Sequence, residues 1–394
     1  MRAALRYLTI TVAAMLAVIT PQDTGAADKK EDALPAGMVV GPYLQWPTQT
    51  SIIVRWETSR PASSVVEWGE TSPPLKRTTG EGQVQYHEVA LRDLKPETQY
   101  FYRVVSEDPS GEKVGSDIYT FRTAVRPDSP FAFVVISDSQ ENPKVVKKIA
   151  AMAYAHRPNF TLHCGDLVSD GRIKEHWTEH YFPNSAVLNR RVPLLPALGT
   201  HEKNAHFYYD YFSLPAPEYY YKFQYGNADF FVLDSQQDVG PNSKQHQWLK
   251  KELAASRATW KIVAHHDPPY SSDENDYGDM YKTNQSTWGD LDVRRLVPLY
   301  EKYGVDIVWA GHIHTYERTL PIRSGEVVEK GGIVYMITGG SGGGLENAAP
   351  SRSYFTAKLL RDYHYCYVVV NGKTLRMDAY DVQGRLFDWL ELRK

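Results

Sequence analysis

Beyond residue 130, five short apolar runs share one property: each ends abruptly in a residue that carries chemistry. Residues 131–136 run into Ser137-Asp138-Ser139-Gln140, and 160–164 end at Gly165-Asp166. Residues 192–198 end at Gly199-Thr200-His201-Glu202, 262–264 at His265-His266-Asp267, and 305–310 at Gly311-His312-Ile313-His314. Runs of this length, bounded by turn residues, read as buried strands. Helical spacing lies between them, at 143–156, 173–188 (interrupted by Phe182-Pro183), 243–256 behind a serine cap, and 290–303 closed by Gly304. Strand–helix alternation without an internal repeat predicts an α/β layered fold.

In open α/β sheets, ligands sit beyond the carboxyl ends of the strands. One rim then gathers Asp138, Asp166, Thr200, His266, His312 and His314. That is a shell of oxygen and nitrogen donors without thiolate, with room for two divalent or trivalent ions. Gly311 is expected to supply the bend before the histidine pair. Taken singly, Asp138 and Asp166 read as turn or cap residues and His201 as an ordinary loop histidine. Their joint occurrence argues for a site. His265, next to His266 at a strand end, is expected to face the other way.

The ordered blocks Asp138, Gly165-Asp166, Gly199-x-His201-Glu202, Val263-x-x-His266 and Gly311-x-His-x-Tyr316-Glu317-Arg318 resemble the calcineurin-like metallophosphoesterases, within them the purple acid phosphatase branch. The resemblance runs from about Phe131 to the chain end. It implies a four-layer α/β/β/α sandwich and two metal ions, of iron, zinc or manganese. Asp166 would bridge them, Asp138 and His314 would bind the first, and His266 and His312 the second. His201 would lie near the leaving group as the catalytic acid, with Glu202 holding it from behind. Three positions depart from the family pattern. Thr200 stands where the family has a liganding Asn, Ser169 where the purple branch has a tyrosine, and Gln140 in the histidine place of an Asp-x-His block, with an amide oxygen to offer.

Ahead of this region, short strand candidates at 51–56, 64–68, 87–91, 99–105 and 117–121, separated by turn signals, predict an antiparallel sandwich over 38–124. Leu94-x-Pro96-x-Thr98-x-Tyr100 resembles the corner of fibronectin type III modules, where the tyrosine hydroxyl ties back to the preceding turn, and Trp56 would be the core tryptophan. Gly41-Pro42-Tyr43-Leu44-Gln45 is similar to the opening strand of the N-terminal module of purple acid phosphatases. Residues 125–129 read as the joint and 128–394 as the catalytic domain. Residues 1–26, with Arg2 and Arg6 before an apolar stretch and small residues after it, read as an export signal too short for a membrane span, and 27–37 as a linker.

The net charge of −3 comes with no block of basic residues, so no nucleic-acid surface is expected. Cys164 and Cys366 both fall in strand-like runs, and their pairing would require those strands to be neighbours. The acidic stretch 267–290 is expected to be a loop that shapes substrate choice, and the glycine run 339–344 a flexible strand exit near the site. Three tail strands after 363, turning at Asn371-Gly372, are expected to complete the second sheet of the catalytic domain.

The expectation is a secreted or periplasmic hydrolase of phosphate monoesters on a phosphorylated small-molecule substrate, acting through a metal-bound hydroxide. Two alternatives remain at this level. One is a phosphodiesterase or nucleotide pyrophosphatase on the same site. The other is a non-catalytic surface-binding protein with a degenerate metal site.

Overall fold

The computed structural model describes residues 34–35, 37–273, 286–349 and 353–394. The segment 1–26, most of the 27–37 linker and half of the acidic stretch, 274–285, lie outside the described residues.

The five apolar runs form strands, divided between two sheets. Phe131–Ile136, Phe160–His163 and Leu194–Pro196 run parallel in a six-stranded sheet. Trp260–Ala264 and Ile307–Ala310 run parallel with Ala228–Val232 and Val334–Thr338 in a seven-stranded one. The sheets share one core, in which Phe133, Phe160 and Leu162 of the first belong with Phe230, Ile262, Trp309 and Met336 of the second. Phe133 meets Phe230 edge to face at 5.3 Å.

Helix Pro143–Ala155 packs Ile149, Ala150 and Ala153 with Val134 and Tyr365 on the far face of the first sheet. Helices Lys244–Ala255 and Val297–Tyr303 pack Leu249, Leu253 and Tyr300 with Val263 and Val308 on the far face of the second. The result is the expected α/β/β/α order. Two helices differ in detail. The 173–188 stretch becomes a π-helix, His176–Tyr181, that passes into the α-helix Phe182–Asn189 where Pro183 withdraws its amide. The 290–303 stretch opens as a 3-10 turn, Val293–Leu296.

The tail strands His364–Asn371, Thr374–Asp381 and Leu386–Arg393 join the first sheet, through pairing of 366–370 with 131–135. They therefore complete the sheet that carries Asp138 and Asp166, not the sheet that carries His266 and His312. The apolar run Tyr365 to Val370 suits that central position, where both faces need cover.

The N-terminal part is all β. Met38–Gln45, Ile52–Ala62 and Val84–Leu91 form one sheet, and five strands around Gln99–Glu107 form the other. Trp56, Trp68, Tyr100 and Tyr102 fill the space between. The Lys95 amide donates to the Tyr100 hydroxyl at 2.9 Å, the tie-back expected at this corner. Strands Lys76–Thr79 and Lys113–Gly115 escaped the sequence reading because neither carries an apolar alternation.

This β region is locked to the rest. Buried Glu57 accepts from Lys174 Nζ at 2.5 Å and from the Tyr211 hydroxyl at 2.8 Å. Arg55 donates to the Asp210 carbonyl and to Ser213, and Tyr43 and Val40 belong to the same core as the two large sheets.

Candidate metal centre

The chemistry-bearing residues stand just past the strand ends, and three of them, Asp138, Asp166 and His312, hold left-handed backbone at φ of 58°, 55° and 67°. For residues with a side chain this costs on the order of 1–3 kcal/mol each and persists only where surrounding bonds enforce it. Those bonds are present. The His312 amide donates to both oxygens of Asp138 at 3.0 Å, and the Asp138 amide donates to the Gly165 carbonyl at 3.0 Å.

The bend expected at Gly311 falls instead on His312. Gly311 is required for closeness: a Cβ there would lie 2.0 Å from Ser137 Oγ and 2.3 Å from Asp138 Oδ2. The glycine run after Val334–Thr338 is likewise packed, not loose. Residues 339–343 are buried, and a Cβ on Gly343 would stand 2.5 Å from the ring of His314.

Ligand atoms of Asp138, Asp166 and His266 all lie within 4.8 Å of one another, in a fully buried group. The His266 Nδ1–H donates to the Cys164 carbonyl at 2.9 Å, which leaves Nε2 to face the carboxylates. Nε2 lies 3.1 Å from Asp166 Oδ2 and makes no hydrogen bond. Two such atoms, close but unbonded, stand as two ligands of one ion stand. His314 repeats the device: Nδ1 donates to the Gly344 carbonyl at 2.8 Å and Nε2 faces Asp138 Oδ1 at 3.6 Å. A backbone carbonyl that fixes the imidazole in this way is the usual outer support of a metal-binding histidine.

The His312 ring stands 5.2 Å from that of His266, and its Nδ1 is 3.9 Å from Asp267. The Gln140 amide lies 2.9 Å from His314 Nε2, with its Oε1 buried and unpartnered. Thr200 sits half-buried on the rim between Gly199 and His201.

His201 flanks the cluster. Its amide donates to Asp166 Oδ1 at 2.6 Å, its Nδ1 meets the Ser169 carbonyl at 2.7 Å, and its Nε2 is 3.9 Å from Asp166 Oδ2. Glu202 works differently from the expectation. Its buried carboxylate accepts from the amides of Asp166, Leu167, Val168 and Gly199, at 2.7–3.4 Å, so it shapes the loop under Asp166 and leaves the His201 ring to Ser169. His265 faces away as expected, stacked on Tyr300 at 6.3 Å.

Electrostatics follow the geometry. Burial raises the Asp166 carboxyl, but His266 and His201 outweigh it and hold the group down at about 2. Burial lowers His314, but Asp138 outweighs it and lifts the imidazole to about 9.

Three supporting residues had no signal in the sequence. Asp267 accepts from Ser235 and Gln236 beside His312. Buried His163 meets Ser139 Oγ at 3.0 Å beneath Asp138. Asp388, on the tail strand, accepts from the Tyr316 hydroxyl at 2.6 Å and from Arg318 at 2.7 and 3.0 Å. Tyr316 and Arg318 thus clamp one sheet to the other directly after the histidine pair. Glu317, between them on the opposite face, holds Ser272 and Thr356. Both cysteines are free and buried.

The calcineurin-like phosphoesterase family matches residues 131–316, and the purple acid phosphatase N-terminal domain matches 39–123. The chain thus carries a calcineurin-like phosphoesterase domain preceded by a purple acid phosphatase N-terminal domain.

Acid phosphatase type 7 of Danio rerio is 25% identical over 89% of this chain and 90% of its own length. Probable inactive purple acid phosphatase 27 of Arabidopsis thaliana is 24% identical over 77% of this chain. The chain spans only 55% of that relative's length. Purple acid phosphatase PPD1 from yellow lupin (Lupinus luteus) seeds shares the fold, with a TM-score of 0.80 at 20% identity over 92% of this chain and 75% of that one.

Proposed function

We propose that the protein is an exported, metal-dependent hydrolase of phosphate monoesters. The observation that carries this reading is the buried meeting of Asp138, Asp166 and His266 with their ligand atoms within 4.8 Å. His314 and Gln140 beside Asp138, and His312 and Thr200 beside His266, extend the donor set on either side. Asp166 is the residue both halves share. Bound there, two cations supply charge to neutralise the phosphoryl oxygens and lower the pKa of water.

The chain's own groups do the rest. The Ser169 carbonyl holds the proton on His201 Nδ1, which leaves Nε2 to carry a second proton to the departing alkoxide oxygen. Asp166 Oδ1 fixes the His201 backbone and so sets the distance from that proton to the ester. Glu202 keeps the amides of 166–168 satisfied, and the Asp166 carboxylate thereby stays where it is.

The test is His201→Ala with two esters. Turnover of an alkyl phosphate should fall on the order of 10²–10⁴-fold, and that of p-nitrophenyl phosphate, whose leaving group needs no acid, by less than about tenfold. Equal losses would remove the acid role from His201. The presence of a relative named probable inactive, together with Thr200 in the place of a liganding amide, favours one second reading: a binding protein with a weakened centre. Metal analysis after reconstitution separates the two, because less than one ion per chain supports the second.

A further inference from the structure

At the opposite rim of the same sheets, a cleft of about 820 Å³ opens between the N-terminal β region and the start of the parallel strands. Its walls carry Arg122, Arg157 and Arg191. Arg157 and Arg191 directly precede the strand regions that lead to Asp166 and His201. Those strands are four to six residues long in the cases of Phe160–His163 and Phe131–Ile136, which puts the rims about 13–20 Å apart. The cleft is therefore separate from the metal centre.

The cleft has an uncompensated positive charge. Glu97 is the carboxylate in its lining, and it is already held by Arg126 at 2.8 Å. No ion pair forms at Arg122, Arg157 or Arg191 among the described residues. Tyrosine rings hold the guanidiniums together where they would repel. Arg157 and Arg191 stand 4.3 and 5.3 Å from the ring of Tyr154, and Arg191 and Arg190 stand 5.2 and 5.3 Å from that of Tyr119. Arg190 shares the Tyr119 ring with Arg191 but lies outside the cleft lining; it is 7% exposed and its Nε has no acceptor. Arg157 also takes left-handed backbone at φ 54° just past helix Pro143–Ala155, where glycine or asparagine is the usual choice.

We propose that this cleft is a second binding site, for a phosphate- or sulfate-bearing ligand. Planar guanidiniums offer paired N–H donors that match the edge of a tetrahedral oxyanion. Flanking groups restrict their motion: Arg157 donates to the Tyr154 hydroxyl and Arg191 to the Val187 carbonyl, which leaves each guanidinium further N–H groups. The ligand is either a free oxyanion or one carried on a polymer; the recognition chemistry is the same.

The test uses full-length, metal-loaded protein and its Arg157→Glu/Arg191→Glu variant, titrated calorimetrically with sodium sulfate at constant ionic strength. A chelated sample runs in parallel. Near-UV circular dichroism and the melting temperature show that the variant is folded, and the milder Arg191→Gln stands in if it is not. The expected result is one saturable site in the wild type, unchanged by chelation, with Kd raised at least about tenfold by the substitutions. Sulfate binding that survives them, or that disappears on chelation alone, overturns the proposal, as does the absence of saturable binding in the wild type. A sulfated polysaccharide that binds no tighter per sulfate identifies a free oxyanion as the ligand, and tighter binding identifies a polymer-borne one; both arms must lose affinity in the variant. None of these readouts depends on turnover, so failure here is distinct from failure of the phosphoesterase reading.

Discussion

The two rims of the parallel strands have opposite chemistry. At the carboxyl rim, carboxylates and imidazoles converge in a buried, backbone-supported cluster with fixed tautomers. At the amino rim, arginines line an open cleft and are held by tyrosine faces. The difference shows how position along a strand assigns a role. A residue just after a strand is delivered to a precise point by the sheet's hydrogen bonds. A residue just before one sits in a looser wall, and long side chains must make up the distance.

The comparison breaks most sharply at Asp166. Asp166→Asn should cost both bound ions and essentially all phosphoesterase turnover, measured by metal analysis and a p-nitrophenyl phosphate assay, while sulfate affinity at the arginine cleft stays as it was. Two ions retained by this variant would show that the halves of the centre do not share it.

Next in size is Glu202→Gln. Its four amide donors would face an amide that accepts through one oxygen alone, so stability should fall by about 3 kcal/mol, read from urea unfolding. A change of less than about 1 kcal/mol would mean that water replaces the lost acceptor.

A moderate effect is expected with pH. In metal-stripped protein, His314 is raised by Asp138 to about 9 from an ordinary value near 6.5. A raised histidine contributes stability that is complete below about 6.5 and lost as pH climbs through about 9. Metal must displace that proton, so metal affinity should rise with pH up to about 9 and then level. Competition titrations with a chelator between pH 6 and pH 10 measure this slope; a flat profile would remove His314 from the ligand set. The smallest expected effect is at the far rim: Arg157→Glu/Arg191→Glu should leave turnover within about twofold of wild type, since surface charges that far from the centre are screened.

Sequence made the carboxyl rim legible because each strand announced its own end. The runs before Asp138, Asp166, His201, His266 and His312 are apolar, and the residue that follows is polar and reactive. The layered order and the sandwich ahead of it were readable for the same reason, in periodicity and turns. What could not be read came from contacts between distant segments. The Asp388 clamp joins positions some 70 residues apart, and three of Glu202's four partners lie 34–36 residues back. The convergence of Arg122, Arg157 and Arg191 on one cleft was invisible because they form no run and the net charge is negative. It exists only in three dimensions.

The clamp at Asp388 has a bearing on biosynthesis. The Tyr316 hydroxyl and the Arg318 guanidinium meet their shared acceptor only once residue 388 has left the ribosome, and the strand leading to Asp138 gains its neighbour on that side only when 366–370 arrive. The clamp beside the histidine pair therefore closes only after the strand Leu386–Arg393 has been translated. On the proposed reading, ions are taken up after that closure rather than during synthesis of the strands that carry their ligands.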